Sequence, residues 1–218
     1  MPEPITMLGM GSGMLGLVIH LARRYFDSAK EVVDIVLAIV ALVLALPVLG
    51  CCAFIIYLSD KGPVFFIQKR VGKDGKVFSM YKLRSMRLDA EKHSGAVWAQ
   101  QDDPRIIPGC RWMRRSHVDE LPQLINVIKG DMSLVGPRPE RPEILAELEK
   151  AYPDVRSRLA VKPGITGLAQ VRNGYDTTVS AFRNKLTADI EYISHRKWSL
   201  ELSILARTVA KFHDKSAN

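Results

Sequence analysis

Cysteines, aromatic side chains and the common nucleotide-binding motifs are scarce or missing in this sequence. The three cysteines include no pair with metal-ligand spacing, which argues against a disulfide framework or structural zinc and favours a reducing compartment. Aromatic residues make up 7% of the chain, too few for the interleaved stacking side chains of a single-strand nucleic-acid binder. There is no GxxxxGK[ST] loop, and no strand precedes the glycine-rich segment 9–16. The histidines have no serine or cysteine partner in a triad-like pattern, so a histidine-based mechanism is not expected.

The chain has an excess of basic residues. Lys and Arg number 31 against 23 Asp and Glu, a formal net charge of +8 over 218 residues. Such a charge suits an anionic partner, which could be a phosphorylated substrate, an anionic lipid surface or nucleic acid. The length allows one domain with a core, together with a membrane element.

One long apolar run, Ile35 to Leu58, has no charged residue. As a single helix it would extend ~36 Å, enough to cross a hydrocarbon core of ~30 Å. Pro47 lies near its centre, and proline kinks or breaks helices. Each half alone would reach only ~18 Å. The run therefore permits either a spanning helix or a re-entrant helical hairpin.

Basic residues flank this run on both sides, and such residues prefer the cytoplasm. A spanning helix would place one basic cluster outside, whereas a re-entrant hairpin keeps both inside. The clusters are Arg23, Arg24 and Lys30 before the run, and Lys61, Lys69, Arg70 and Lys73 after it. Residues 5–22 are also apolar but contain four glycines, so a frayed or interfacial segment is expected there.

The pattern after Asp60 predicts a compact α/β domain. Two short strands are expected around a turn at Lys73-Asp74-Gly75, and residues 89–110 are expected to form a loop. A helix is predicted to begin near Ser116 and to end at Gly130. Further predicted helices cover 143–151, 177–196 and 199–212, and VKPGITGLAQV is expected to be a turn followed by a short extended segment.

Asp119 and Glu120 are the first candidates for chemistry. Arg111, Arg114 and Arg115 precede them. Adjacent carboxylates at a helix start are common for structural reasons, because they favour the positive end of the helix dipole. Acids among arginines near a membrane segment also suit metal-assisted phosphoryl transfer. A solvated network of ion pairs is the alternative.

Three further groups of charged residues stand out, and each also has a structural interpretation. Arg138 lies between two prolines that fix the backbone, so its position costs little further entropy. Lys82 and Arg84 share one face of the second predicted strand, as a basic wall of a pocket or as a solvated face. Lys185 and Asp189 are four apart on a helix, a spacing that also suits a simple ion pair.

Several stretches in a fixed order resemble the bacterial sugar transferases, the small monotopic phosphoglycosyl transferases that begin the assembly of surface glycans. The match extends from about Lys30 to Phe212. The stretches are KGPVFFIQKRVG, MYKLRSM, DDPRI, MRRSHVDELPQLINVIKGDMSLVGPRPE, KPGITGLAQVRNGYD and KLTADIEYISHRKWSLELSILARTV. Departures from the family pattern include Leu46-Pro47, where the family usually has Ser-Pro.

The resemblance implies a re-entrant membrane helix and a two-step reaction. Asp119 would be the nucleophile, assisted by Glu120, and both would bind Mg²⁺. The implied reaction transfers a sugar 1-phosphate from a UDP-sugar to polyprenyl (undecaprenyl) phosphate through an aspartyl phospho-sugar, releases UMP, and initiates synthesis of an exopolysaccharide or another surface glycan. The predicted substrate-binding residues are Lys82, Arg84, Arg114, Pro137, Arg138, Arg172 and Asp189.

The predicted fold class is therefore α/β: a compact, mostly helical catalytic domain with short strands, attached to a re-entrant membrane helix hairpin broken at Pro47. The predicted divisions are an N-terminal extension at 1–29, the re-entrant helix at 30–60 and the catalytic domain at 61–218. The resemblance places the protein in the bacterial inner membrane, monotopic, with its catalytic domain on the cytoplasmic face. Membrane lipids are expected partners and nucleic acid is not, and oligomeric state is left open, a homo-oligomer included.

Overall fold

The structure, a computed structural model, describes residues 5–88, 90, 103–172 and 182–213. The predicted loop around Gly95, the Gly174-Tyr175-Asp176 segment and the predicted helix start at Thr177 lie outside the described residues. In chain order the helices and strands are α1 (Ile5–Asp60), β1 (Phe65–Val71), β2 (Val77–Leu83), α2 (Arg111–Arg115), α3 (Gln123–Ile128), β3 (Ser133–Val135), α4 (Pro142–Ala151), β4 (Gly164–Thr166), α5 (Leu168–Arg172), α6 (Phe182–Ser194) and α7 (Trp198–His213).

Helix α1 continues through Pro47, and the structure does not display the predicted hairpin. Proline removes only its own backbone donor, and in an apolar helix every remaining hydrogen bond favours continuation. The four glycines do not end the helix either, because each costs only about 1 kcal/mol. The part from His20 to Asp60 is long and apolar enough to cross a membrane, a criterion of length and composition alone.

One face of α1 packs against the α/β part of the chain along much of its length. The buried residues on this face recur at helical spacing: Lys30, Asp34, Ala38, Ala45, Cys52 and Ile56. Ala38 joins a core with Phe78 of β2 and Leu124 of α3. Cys52 and Ile56 join a second core with Ile107, Cys110 and Met113. The outer face of α1 remains apolar and exposed, as at Val40, Leu44, Phe54 and Leu58.

A buried polar network attaches the N-terminal half of α1 to the domain. The Nζ atom of Lys30 lies 3.0 Å from the Asp34 carboxylate and 2.8 Å from that of Glu201 in α7. The Ser133 hydroxyl donates to Asp34 at 2.5 Å. Since β3 leads directly into the Pro-Arg-Pro turn, this network fixes the chain that approaches Arg138.

The predicted β-hairpin is confirmed. Strands β1 and β2 pair antiparallel from Phe65↔Leu83 to Val71↔Val77. The chain reverses through a 3₁₀ turn at Lys73–Gly75, where Asp74 and Gly75 both adopt positive φ. Two left-handed residues in succession match the right-handed twist of the paired strands.

The helix predicted to begin near Ser116 begins later, at Gln123. The Ser116 hydroxyl donates to the carbonyl of Trp112 at 2.7 Å, so it closes α2 and does not cap a following helix. His117 then takes a left-handed conformation with φ 52°, which interrupts the helical path. Asp119 and Glu120 lie in a separate 3₁₀ turn, Val118–Glu120.

The remaining predicted helices and the extended segment are present in the structure, whereas α2, β3 and α5 were not predicted. The helices predicted at 143–151 and 199–212 correspond to α4 and α7, and the described part of the helix predicted at 177–196 corresponds to α6. The extended part of VKPGITGLAQV is β4, which pairs parallel with β3. Helix α5 follows β4 directly. A Cβ atom on Gly164 would lie 2.1 Å from the backbone nitrogen of Gly136, so these two backbones can approach only as glycines.

Candidate active site

The site centres on the 3₁₀ turn that contains Asp119 and Glu120. This turn packs beside β2, and both carboxyl-bearing residues are buried, with exposed fractions of 6% and 9%. His117, immediately before the turn, has the strained left-handed backbone that often occurs at functional sites. Burial lowers the pKa of the His117 imidazole, against the opposing influence of Glu120.

Glu120 is held by two cations. The Nζ atom of Lys82 lies 2.8 Å from Glu120 Oε1. The Arg138 guanidinium binds both carboxylate oxygens, at 2.6 Å to Oε1 and 3.1 Å to Oε2. Burial alone would raise the pKa of Glu120, but attraction to Arg138 and Lys82 outweighs burial and holds this pKa well below its usual range. Glu120 is therefore ionised at neutral pH.

Asp119 has a different environment from its neighbour. Within the described part of the chain it forms no ion pair, and its nearest polar contact is the Ser85 hydroxyl, 3.4 Å from Oδ2. That hydroxyl in turn lies 3.3 Å from Nη1 of Arg114. Burial, followed by repulsion from Glu120, raises the pKa of Asp119 to about 6, although Lys82, Arg114 and Arg138 partly oppose the rise.

The two adjacent carboxyl groups are thus prepared for different tasks. Environments that separate the pKa values of neighbouring acids are a recurring sign of divided catalytic roles. Glu120 orients Lys82 and Arg138 as a fixed anion. Asp119 is mostly ionised at pH 7 and is not held by a cation within the described residues, so it can act as a nucleophile or bind a cation.

The Pro-Arg-Pro turn is fixed by hydrogen bonds to four consecutive carbonyl oxygens. Gly164 N donates to Pro137 O at 2.9 Å, and Val71 N donates to Glu140 O at 2.9 Å. Between them, Arg158 Nη2 donates to Arg138 O at 2.9 Å and Arg70 Nη1 donates to Pro139 O at 3.0 Å. The backbone that positions the Arg138 guanidinium is therefore held from several separate elements.

The predicted site residues do not all come together. Lys82, Arg138, Asp119 and Glu120 are in contact or adjacent, and Arg114 joins them through Ser85. Pro137 contributes its fixed backbone and its carbonyl oxygen. The structure therefore places these residues close together, and their roles in catalysis and substrate binding stay predictions.

Arg84, Arg172 and Asp189 lie in other surroundings. The Arg84 guanidinium binds the Asp60 carboxylate at 2.6 Å and the Asp60 carbonyl at 3.1 Å, at the end of α1. Arg172 pairs with Glu191 on the surface, 2.8 Å to Oε1. Asp189 is buried and accepts from Arg158 at 2.7 and 3.0 Å. Asp189 therefore holds Arg158, which in turn donates to the Arg138 carbonyl. Substrate contact by Arg84, Arg172 and Asp189 stays a prediction.

Three residues at the site were not singled out from the sequence: Ser85, Arg70 and Arg158. Arg70 and Ser85 lie within the motifs quoted above, which is a weak signal. Nothing near Arg158 in the sequence indicates its contact with Arg138, because those residues are 20 positions apart and meet only in the folded chain.

The donor set is compatible with a magnesium ion held partly by substrate. Among the described residues no three His, Cys, Asp or Glu side chains converge into a metal site. Mg²⁺ often takes only one or two carboxylates and completes its shell with water and substrate phosphates. Asp119 fits this role. Glu120 already accepts from two cations, so it is the less available of the two predicted ligands.

Comparison with known proteins gives a consistent result. The family described as bacterial sugar transferase matches residues 25–215 of this chain. A Bacillus subtilis protein, provisionally named an undecaprenyl-phosphate N-acetylgalactosaminyl 1-phosphate transferase, is 51% identical over 136 residues, covering 62% of this chain and 75% of the relative.

Two further relatives differ in length. An Escherichia coli UDP-glucose:undecaprenyl-phosphate glucose-1-phosphate transferase is 41% identical and matches 86% of this chain, which spans only 41% of that protein. The exopolysaccharide production protein PSS of Rhizobium leguminosarum is 38% identical, and the match covers 83% of this chain and 92% of the relative. The similarity therefore includes the whole region around Asp119.

Proposed function

The chain belongs to the bacterial sugar transferase family, and from this membership we propose that it transfers a sugar 1-phosphate from a UDP-sugar to undecaprenyl phosphate, with release of UMP. It is an undecaprenyl-phosphate sugar-1-phosphate transferase that begins the synthesis of a surface polysaccharide. The relatives' names contain different sugars, so the sugar is left open. The observation that supports this function most directly is the contrast between Asp119, which has no ion pair among the described residues, and Glu120, which pairs with both Lys82 and Arg138.

In the first half-reaction, an Asp119 carboxylate oxygen bonds to the phosphorus that bears the sugar. The bond from this phosphorus to the UMP oxygen breaks, and UMP leaves with the electron pair. Arg114, Lys82 and Arg138 stabilise the negative charge on the phosphates. Glu120 keeps Lys82 and Arg138 in place. A bound Mg²⁺ would supply further charge neutralisation, and Asp119 is the side chain best placed to hold it.

In the second half-reaction, an oxygen of the lipid phosphate attacks the same phosphorus. The bond to Asp119 breaks, and the free carboxylate returns. A phosphate monoester with a second pKa near ~6 is already mostly dianionic at pH 7, so the acceptor needs no strong base. The covalent step lets a soluble donor and a membrane acceptor react in turn at one carboxylate.

The direct test measures the nucleotide product. Purified enzyme in detergent is incubated with undecaprenyl phosphate and a panel of UDP-sugars, and nucleotides are separated by chromatography. UMP release with one or more sugars supports the proposal. Release of UDP would instead indicate transfer of the sugar alone, and absence of any nucleotide product across the panel would contradict enzymatic function.

The fall in the rate of UMP release at acidic pH should follow the protonation of Asp119. Because its pKa is about 6, the carboxylate fraction falls roughly tenfold per pH unit below this value. The rate of UMP release with donor alone should decline accordingly below pH 6 and level off above pH 7. Glu120→Gln removes a charge that raises the Asp119 pKa, so the fall in rate should move to lower pH. A fall at unchanged pH in that variant would assign the titration to another group.

Arg138→Lys should lower kcat by about tenfold or more, although the charge is kept. Lysine cannot donate two parallel hydrogen bonds to Glu120. The Glu120 carboxylate and the positive charge at position 138, which is proposed to contact phosphate, therefore both lose their fixed positions. Steady-state UMP release measures the effect. Arg183→Lys is a matched control, because Arg183 pairs with Asp154 on an exposed surface. Wild-type kinetics in Arg138→Lys would make this arginine merely structural or solvated.

The long apolar helix indicates membrane association. A monotopic arrangement on the cytoplasmic face is the finer proposal, and it is supported by the packing of α1. Lys30 and Asp34 near one end and Cys52 and Ile56 near the other are buried against the same α/β domain. In a helix that crossed the bilayer, the two ends would lie on opposite sides of the membrane, so both could not pack against one domain. A bend at Pro47 is the part of this arrangement that the helix in the structure does not display.

Impermeant thiol labelling tests this topology. With Cys51 replaced by serine, single cysteines at Arg24 and Lys61, both exposed, should react from the same side of the membrane. Pro47→Ala restores a helix donor and removes a clash worth ~3 kcal/mol, so it should shift molecules towards spanning. Labelling of the two positions from opposite sides in the parent protein would establish a spanning helix.

A further inference from the structure

An open cleft lies at the C-terminal end of α1, and the residues that line it are not among the predicted substrate-binding residues. It has a volume of about 360 Å³. Six residues line it: Ser59, Asp60, Arg87, Leu88, Ile107 and Pro108. The only acid among them, Asp60, is neutralised by Arg84 at 2.6 Å. Arg87 is exposed, and within the described ranges no acid pairs with its guanidinium, so among these residues the positive charge of the cleft is not neutralised.

The cleft is connected to the nucleophile through a short extended segment. Ile107 N donates to Ser85 O at 2.9 Å, and Arg87 N donates to Arg105 O at 2.9 Å, with Met86 and Ile106 paired between them. Alternate residues of an extended segment share a face, and two residues span about 6.6 Å. Arg87 therefore lies on the same face of the segment as Ser85, two residues further along it. The Ser85 hydroxyl lies 3.4 Å from Asp119.

The other border of the cleft is apolar and continuous with the outer face of α1. Leu88 is 69% exposed, and Tyr57, Leu58 and Phe54 on the last turns of α1 are also exposed. A hydrocarbon chain that lies along this face would end at the cleft. A charged head on that chain would then be next to Arg87.

We infer that this cleft receives the phosphate head of the polyprenyl phosphate acceptor, with Arg87 as its ligand and the isoprenoid chain against Leu88 and the end of α1. The inference rests on the proposed function. Lys82, Arg114 and Arg138 then bind the phosphates of the donor, and Arg87 binds the phosphate of the acceptor. From this position an acceptor oxygen attacks the phosphorus of the Asp119 phospho-sugar, the bond to Asp119 breaks, and no proton has to be removed from the dianionic phosphate.

The two half-reactions separate this role from the others. In Arg87→Ala, formation of the phospho-sugar adduct with donor alone should keep its rate. The KM for undecaprenyl phosphate should rise by about 10- to 100-fold, as expected for loss of a hydrogen bond between charged groups. Arg87→Lys should recover part of this loss. Arg207→Ala, an exposed arginine on α7, is the matched control and should leave the acceptor KM unchanged.

Each alternative predicts a different result. Slower adduct formation in Arg87→Ala would place the donor in the cleft and overturn the inference. Weaker binding to vesicles of anionic phospholipid, with an unchanged acceptor KM, would make Arg87 a contact for bilayer headgroups and also overturn it. A wild-type enzyme that forms no adduct and releases no UMP would contradict the proposed function itself, which the donor-only measurement detects before any acceptor is added.

Discussion

Asp119→Asn should abolish turnover, with a loss of about 10⁴-fold or more, as for other covalent nucleophiles. Asparagine keeps the shape of the side chain and removes the nucleophilic charge. The replaced carboxyl has no ion pair within the described residues, so its loss leaves no cation unpaired. Intact-protein mass spectrometry after exposure to donor alone should find a phospho-sugar adduct on the wild type and none on the variant.

Two comparisons make this result specific. Asp154→Asn changes an exposed aspartate paired with Arg183 and should leave adduct formation intact. Glu120→Gln should retain a small activity, because Lys82 and Arg138 remain present but lose their common anchor. If UMP appears only when acceptor is also present and no adduct can be trapped, transfer is direct and Asp119 serves as a metal ligand.

Arg158→Met should destabilise the protein strongly. It leaves Asp189 buried without its cation, and removal of one partner of a buried pair typically costs about 3–5 kcal/mol. For a chain of this size the thermal midpoint should fall by about 10 °C. The Arg138 carbonyl also loses its donor, so kcat should fall in the fraction that remains folded. Thermal unfolding in detergent and UMP release measure the two effects.

The double variant Arg158→Met/Asp189→Leu distinguishes the charge from the packing. Without the uncompensated Asp189 carboxylate, much of the stability should return, while kcat stays low because the Arg138 carbonyl still lacks Arg158. Arg156→Met is the matched control, since that arginine pairs with Glu149 near the surface. Recovery of both stability and kcat in the double variant would show that Arg158 does not position Arg138.

Local patterns in the sequence predicted the elements that depend on local chemistry. The Lys73-Asp74-Gly75 turn and its two strands follow from turn residues and alternation. The roles considered for Asp119, Glu120, Lys82 and Arg138 follow from their residue types and from the family resemblance, and the structure brings these four together. The start of α3 was placed too early because the left-handed backbone of His117 has no sequence signal when the residue is neither glycine nor asparagine.

Contacts between distant parts of the chain could not be predicted. The bond between Arg158 and the Arg138 carbonyl and the contact between Ser85 and Asp119 both depend on the arrangement of separate elements. The continuation of α1 through Pro47 is a different kind of failure. Proline removes one backbone hydrogen bond and its ring clashes with the preceding turn, which weakens a helix without always ending it. The packing of Ala38, Cys52 and Ile56 against the domain could not be predicted from the sequence.

The buried face of α1 also has a consequence for the independence of the domain at 61–218. Ala38 fills part of the core around Phe78 and Leu124, and Ile56 fills part of the core around Ile107 and Met113. A fragment that begins at Lys61 would expose both cores and leave Glu201 without Lys30. The change from apolar to mixed composition near Asp60 is therefore a boundary in composition only. The unit that folds cooperatively includes helix α1.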